Sequence, residues 1–257
     1  MINFFRRIRY DLIDKNKTAK YLKYAIGEII LVVIGILIAL QINNWNQLRQ
    51  DQKLETNYLK GIKTNLNDDI SELDQLFVKD TVKLKAYTFL IRTFNAEPIT
   101  SNHQEIITNF YNAAGYNWFE GQNVVFEDMK SSGKLNLIRS DSIKYTLQKY
   151  YKFFEEVIKQ ENLYNSFIEK YTDRNSQYIN VSSFIENKAE KQWNGHTGPP
   201  SLSFMEDPEF QVIKPKIINN ISLIKDSRTH AHEVRKILYH KATQLNGMIE
   251  IYLKDKK

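Results

Sequence analysis

The sequence predicts an all-α protein: one N-terminal transmembrane helix followed by an antiparallel helical bundle forming an extracytoplasmic domain. Three observations predict it. Residues 24–42, YAIGEIILVVIGILIALQI, hold only Glu28 and Gln41 as strongly polar groups. Most of the remaining chain repeats apolar residues every three or four positions, the period of a helix face. No stretch alternates polar and apolar residues as a half-buried strand does.

A helix crosses a bilayer core of about 30 Å with about 20 mostly apolar residues. The twelve Ile, Leu and Val residues of 24–42 contribute about −4 to −7 kcal/mol toward insertion, against at most about 3.5 for one central charge. Glu28 lies one turn inside the end and costs less, so insertion wins. A cleaved signal peptide is the rival reading. Its apolar region is about 7–15 residues long and ends at a small-x-small site, whereas this run ends in Ala39, Leu40, Gln41 and Ile42. We therefore expect an uncleaved anchor.

The net charge of +6 looks like a nucleic-acid signal until it is divided. Residues 1–23 carry seven Lys and Arg against two Asp, Glu28 subtracts one, and the rest balances to +2. The basicity flanks the span and implies no nucleic-acid partner. Arg6, Arg7, Arg9, Lys15, Lys17, Lys20 and Lys23 precede the span and only Arg49 and Lys53 closely follow it. The side richer in Lys and Arg stays inside. We expect a bacterial inner-membrane protein with a cytoplasmic N-terminus and residues 43–257 as one periplasmic domain. With no Cys, that domain has only its core to stabilise it.

Ile2, Phe5, Ile8 and Leu12 at helical spacing, with Arg6, Arg7 and Arg9 between them, predict a short amphipathic helix on an anionic inner leaflet. A disordered basic tail is the alternative. Tyr21 and Tyr24 mark the inner interface and Trp45 the outer one. FFRRIRYDLI and KTAKYLKYAIGEIILVVIGILIALQINNWN, with VFEDMKSSGKLNLI and LQKYY further on, resemble an uncharacterised family of single-pass membrane proteins from Bacteroidota, domain of unknown function 6090. The resemblance is close over about the first 50 residues and looser from Val125 to Tyr151. It implies no activity and no site residues.

Residues 43–95 contain no Pro and only Gly61, and Leu59, Ile62, Leu66, Leu73, Leu76, Leu84, Tyr87, Ile91 and Phe94 keep helical spacing. This is a long helix, in reach of being continuous with the anchor. Pro98 follows its end. Short helices are expected near His103–Ala114 and up to Ser132, with Gly133 as cap. Ser140 or Asp141 caps the next, whose stripe is Ile143, Leu147, Tyr150, Phe154, Val157, Glu161, Tyr164, Ile168, Tyr171, Tyr178 and Ile185. Residues 188–207 form a loop, and a helix opened by Asp207, Pro208 and Glu209 runs to about Leu253. Pro215 is expected to kink or restart it.

Within the span, Glu28 and the small residues Gly27, Gly35 and Ala39 form a face for a protein partner or a second copy. The alternative is a shallow Glu28 that reaches the interface. Tyr116, Trp118 and Phe119 crowd around Gly115 and Gly121. We expect them to plug one end of the bundle, with a ligand pocket or partner-binding tip as the alternative. Arg228 and Arg235 fall near the inner stripe of the last helix, where they would build an anion pocket. Ala231 with Val234 supplies an equally good apolar line, so both arginines are expected at the edge.

His230 and His232 lie in HAHEV, but a zinc-protease helix needs His at the fifth position and Lys236 breaks the analogous pattern. No metal and no cofactor are expected. Asp68 with Asp69, and Glu155 with Glu156, read as solvated faces. Without a Cys nucleophile, a phosphate-cradling glycine loop or a nucleophile elbow, we expect no enzyme. The sequence points to a scaffold that binds another envelope component. A sensor binding a small ligand in its bundle is the alternative; residues 1–23 being too short for a folded output domain, it would signal through a separate partner.

Overall fold

The computed structural model describes residues 18–99, 101, 103–176, 205 and 208–256. The expected N-terminal amphipathic helix, the Asp207 cap, Tyr178, Ile185 and all of the 188–207 loop but Met205 lie outside the described residues. Helix α1 is Thr18–Asn95, α2 His103–Ala113, α3 Val124–Ser131, α4 Asp141–Ser176 and α5 Pro208–Asp255. Among the described residues there is no strand. The chain divides into two units, Met1–Asn57 and Tyr58–Lys257, so α1 contributes to both.

In the first unit the helix is naked. Every large aliphatic side chain from Ile29 to Ile42 is exposed, and none of the most apolar eighteen-residue window is buried. By length and composition it can cross a membrane. A patch of this kind is far larger than a water-soluble surface tolerates without a cover. Trp45, beyond the apolar run, is exposed, with the Arg49 guanidinium 5.9 Å from its ring centroid.

The second unit is built on three helices with one repeat. On α1 the buried positions include Leu59, Ile62, Leu66, Asp69, Leu73, Leu76, Asp80, Lys83, Tyr87, Leu90 and Phe94, which alternate steps of three and four, with Ala86 and Thr93 buried beside that seam. From Phe210 to Ile249, α5 buries the same pattern, with Lys214, Arg228 and Arg235 among its apolar members. On α4 it runs through Ile143, Leu147, Tyr150, Phe154, Val157, Glu161 and Ile168. A 3.5-residue repeat keeps one seam facing its partners along the whole length, as in coiled coils.

Cross-contacts give the directions. Lys63 meets Glu250, Asn67 meets Asn246 and Tyr87 meets Arg228, so α1 and α5 are antiparallel. Tyr164 meets His230 and Phe153 lies under Lys241, so α4 and α5 are antiparallel too. It follows that α1 and α4 run parallel, as Tyr150 on Asp69 and Glu161 near Asp80 require.

Local signals set the ends. Gly133 adopts φ +68° after α3, a left-handed conformation that glycine takes without steric cost. Ser140 Oγ accepts the Ile143 N–H at 3.3 Å at the start of α4. At Pro215 the expectation of a restart fails, because α5 runs through it as one helix. Proline inside a helix costs about 3 kcal/mol. Flanking residues Phe210, Ile217 and Ile221 are buried in one apolar cluster, at about 1.5–3 kcal/mol per side chain, and that burial offsets the cost of the proline.

Two apolar clusters result. One joins Leu59–Leu76 of α1 with Ile143–Val157 and Leu238–Ile249. The other joins Ala86–Phe94 with Ile106, Ile168 and Phe210–Ile224. Between them, in sequence on every long helix, come the charged residues Asp80, Lys83, Glu161, Arg228 and Arg235.

Candidate functional site

The charged layer is the chemically distinctive part of the second unit. Arg235, 2 % exposed, donates through Nε and Nη2 to both oxygens of Glu161 at 2.6 and 2.7 Å, and through Nη1 to Asp80 at 2.7 Å. Its Nη2 also reaches the Asn117 carbonyl at 3.0 Å. Bidentate pairing of this sort matches guanidinium to carboxylate geometry. Burial opposes the Arg235 charge, but Glu161 and Asp80 more than offset it and raise the pKa above its usual value. Burial raises the Glu161 carboxyl, and Arg235 pulls part of that back. His232 Nδ1 lies 3.3 Å from Asp80, and its ring packs edge-on to Phe77.

The layer grips the connection between α2 and α3. Residues 114–123 belong to no helix, so their backbone groups need partners elsewhere. Buried side chains supply them. Tyr87 donates to the Ala113 carbonyl at 2.7 Å, and Lys83 donates to those of Ala114 and Gly115. Arg228 donates to Gly115 at 2.6 Å and to the Tyr87 hydroxyl at 3.1 Å. Burial, with Arg228 adding to it, lowers the Lys83 pKa to about 8.

Further along, the polarity of the grip reverses. The Phe119 amide donates to Glu161. Glu72 accepts from the Glu120 and Gly121 amides at 2.8 and 3.1 Å, and Asp69 accepts from Gln122 at 2.7 Å. Tyr150 adds its hydroxyl to Asp69 at 2.6 Å. Cations therefore take the loop's carbonyls and carboxylates take its amides.

The expected positions separate. Phe119 is buried against Phe154 with ring centroids 5.7 Å apart, while Tyr116 and Trp118 are exposed. Arg228 and Arg235, expected at the edge, are inside. The 3.5 repeat runs through them, and the carboxylates and carbonyls that face them offset desolvation. Asp69, expected on a solvated face, is fully buried because it occupies a seam position on α1. Glu161, read only as one of a stripe, is the hub of the layer. Extending the three-and-four spacing across Asp69, Asp80 and Lys83 would have found all three. Gly27 and Gly35 have nothing within 4 Å of an added Cβ, Ala39 is exposed and Glu28 is partly exposed.

Burial, which raises Asp69 to about 6 from 3.8, makes one consequence testable. Between those values the folded state holds a proton that the unfolded chain does not, so stability rises as pH falls through 6 toward 4. At one unit per 1.36 kcal/mol the swing is about 3 kcal/mol. Asp69→Asn removes it. Urea unfolding at pH 8 and pH 4 is expected to show the variant losing ground to the parent at the lower pH, by up to that amount.

The layer encloses little space. A cavity of about 10 Å³ lies beside Asp80, Asn117, Glu161 and Arg235, room for about one water. The Asn117 side-chain nitrogen is buried there without a protein partner. A larger hollow of about 480 Å³ lies along Thr81–Arg92. All of its described lining belongs to α1, so it is open surface. Among the described residues no group of three or more His, Asp and Glu is arranged for a metal.

A family model described as a family of unknown function, DUF6090, matches residues 28–191. The match takes in the apolar run, the seam of α1, the gripped loop and Glu161, and it stops before α5. No curated protein and no solved structure matches the chain. With more than half of its length under that match, the chain belongs to the DUF6090 family of unknown function.

Proposed function

We propose that the chain is a single-pass inner-membrane protein of a Bacteroidota cell, with its N-terminus in the cytoplasm and its helical unit in the periplasm, where it binds or scaffolds another envelope component. The carrying observation is the charged layer: its donors and acceptors are spent on one another and on the loop, leaving about 10 Å³. A sensor of small molecules needs a cavity of about 300 Å³ or more. A layer with so little room beside it among the described residues directs binding to the outside of the unit instead. The exposed apolar run of α1 and the basic residues 6–23 support the anchor and its orientation. The face carrying Gly27, Glu28, Gly35 and Ala39 gives the anchor a second contact, to a partner helix or another copy.

Two measurements test this. A periplasm-active reporter fused after Lys257 is expected to be active and a cytosol-active one silent; the reverse pattern refutes the placement. Crosslinking of the tagged full chain in its own membrane, read by mass spectrometry, is expected to return one recurrent envelope protein. Recovery of the chain alone together with a co-purified small molecule would favour the sensor.

A further inference from the structure

Residues 116–120 belong to no helix and are held by hydrogen bonds on both sides of Trp118. Exposure alternates along the stretch. Asn117 lines the small cavity and Phe119 is buried. Tyr116, Trp118 and Glu120, alternating with them, are all exposed. Trp118 Nε1 donates to Glu120 Oε1 at 2.9 Å, which fixes the indole beside a carboxylate. Helix α4 adds Glu169 and Asp173, both exposed. Burial and then these two carboxylates raise the Tyr116 hydroxyl pKa, so both stand within electrostatic reach of it. Arg228, which also acts on Tyr116, is buried and committed to Tyr87 and Gly115, and Asp173 is already engaged in a contact of its own.

We infer that this face, two aromatic rings flanked by Glu120 and Glu169, docks a basic segment of a protein partner. The inference rests on the scaffold reading and names the kind of partner it takes. Arginine suits the face best: its guanidinium stacks on an aromatic ring while its edge pairs with carboxylate. Trp and Tyr are the residues that most often anchor protein interfaces. The loop is already pinned at its carbonyls and amides, so docking spends little on ordering it. The Glu120 and Glu169 carboxylates beside the rings repel anionic lipid headgroups and nucleic acid, which leaves a cationic protein segment as the occupant.

The test uses the full chain in phosphatidylcholine nanodiscs, with Trp45→Phe and Trp193→Phe so that Trp118 is the sole indole. Titrated nona-arginine is expected to change Trp118 emission saturably, and nona-glutamate to leave it unchanged. Tyr116→Ala, and separately Glu169→Lys, are expected to weaken nona-arginine binding about tenfold, with an unaltered melting midpoint. Equal titration by both peptides, unaltered affinity in both variants, or a response to phosphatidylglycerol vesicles in place of nona-arginine overturns the inference. Crosslinking in the native membrane separates the two levels. A partner captured equally by the parent and by Tyr116→Ala/Trp118→Ala overturns this surface and leaves the scaffold standing. No partner for the parent refutes the scaffold, while the peptide titration still decides the face.

Discussion

Arg235→Met is expected to destabilise the helical unit by about 3–5 kcal/mol, because it strands two buried carboxylates without a counter-charge. Asp80 and Glu161 are almost wholly inaccessible, and the guanidinium meets both within 2.7 Å. It also takes the Asn117 carbonyl, so the loop loses a partner in the same step. For a unit of about 200 residues the fall in melting midpoint is roughly 6–20 °C. Arg235→Lys keeps the charge but not the fork, and is expected to recover only part of the loss. The informative comparison is a third variant, Arg235→Met with Asp80→Leu and Glu161→Met. Replacing a buried ionic triad with apolar groups is often neutral or stabilising, so this triple variant is expected to melt well above the single one. Thermal melts of the full chain in detergent, followed by near-ultraviolet circular dichroism, measure all three. A single variant that melts like the parent would show that the layer contributes nothing to stability.

Gly121→Ala is the second large effect. Gly121 adopts φ +60°, and a Cβ placed there lies 2.3 Å from Phe154 Cε2 and 2.6 Å from Phe119 Cζ. The left-handed backbone costs an L-residue about 1–2 kcal/mol and forcing a methyl into a packed core about 1–3, roughly 2–5 kcal/mol together. Both rings belong to the core, so neither yields cheaply. Gly133 is the internal control. Its φ is +68° with nothing within 4 Å of a Cβ, so Gly133→Ala is expected to cost only the backbone part, about 1–2 kcal/mol. Denaturant midpoints of the two variants separate packing from backbone strain. Equal losses would mean that the aromatic contact around Gly121 relaxes freely.

The helices were legible because their apolar periodicity is strong, and the apolar run was legible from composition alone. What the sequence hid was polarity at apolar positions. An eye that follows only Leu, Ile and aromatic residues steps from Leu66 to Leu73 and from Leu76 to Leu84, and so assigns Leu84 and Ile91 to a stripe whose buried members there are Lys83 and Leu90. The same habit sent Arg228 and Arg235 to the edge. Desolvation makes that the sensible default for an isolated charge. The default fails when carboxylates from two other helices arrive opposite, which depends on helix pairing that one sequence does not print. The grip on the loop was hidden for the same reason: Glu72 and Asp69 are 48 and 53 positions from the amides they hold.

Arg228 and Arg235 are seven residues apart, one full repeat of the seam. A slip of α5 by that repeat would bring Arg228 to Asp80 and Glu161 with its fork intact, and the apolar pattern alone would hardly object. Arg235 would then land where Ala242 now stands, inside the first apolar cluster and fully inaccessible, with no carboxylate to meet it. The layer thus works as a vernier: one of its two guanidinium groups can be satisfied in the wrong alignment, never both, and the three helices have a single way to close.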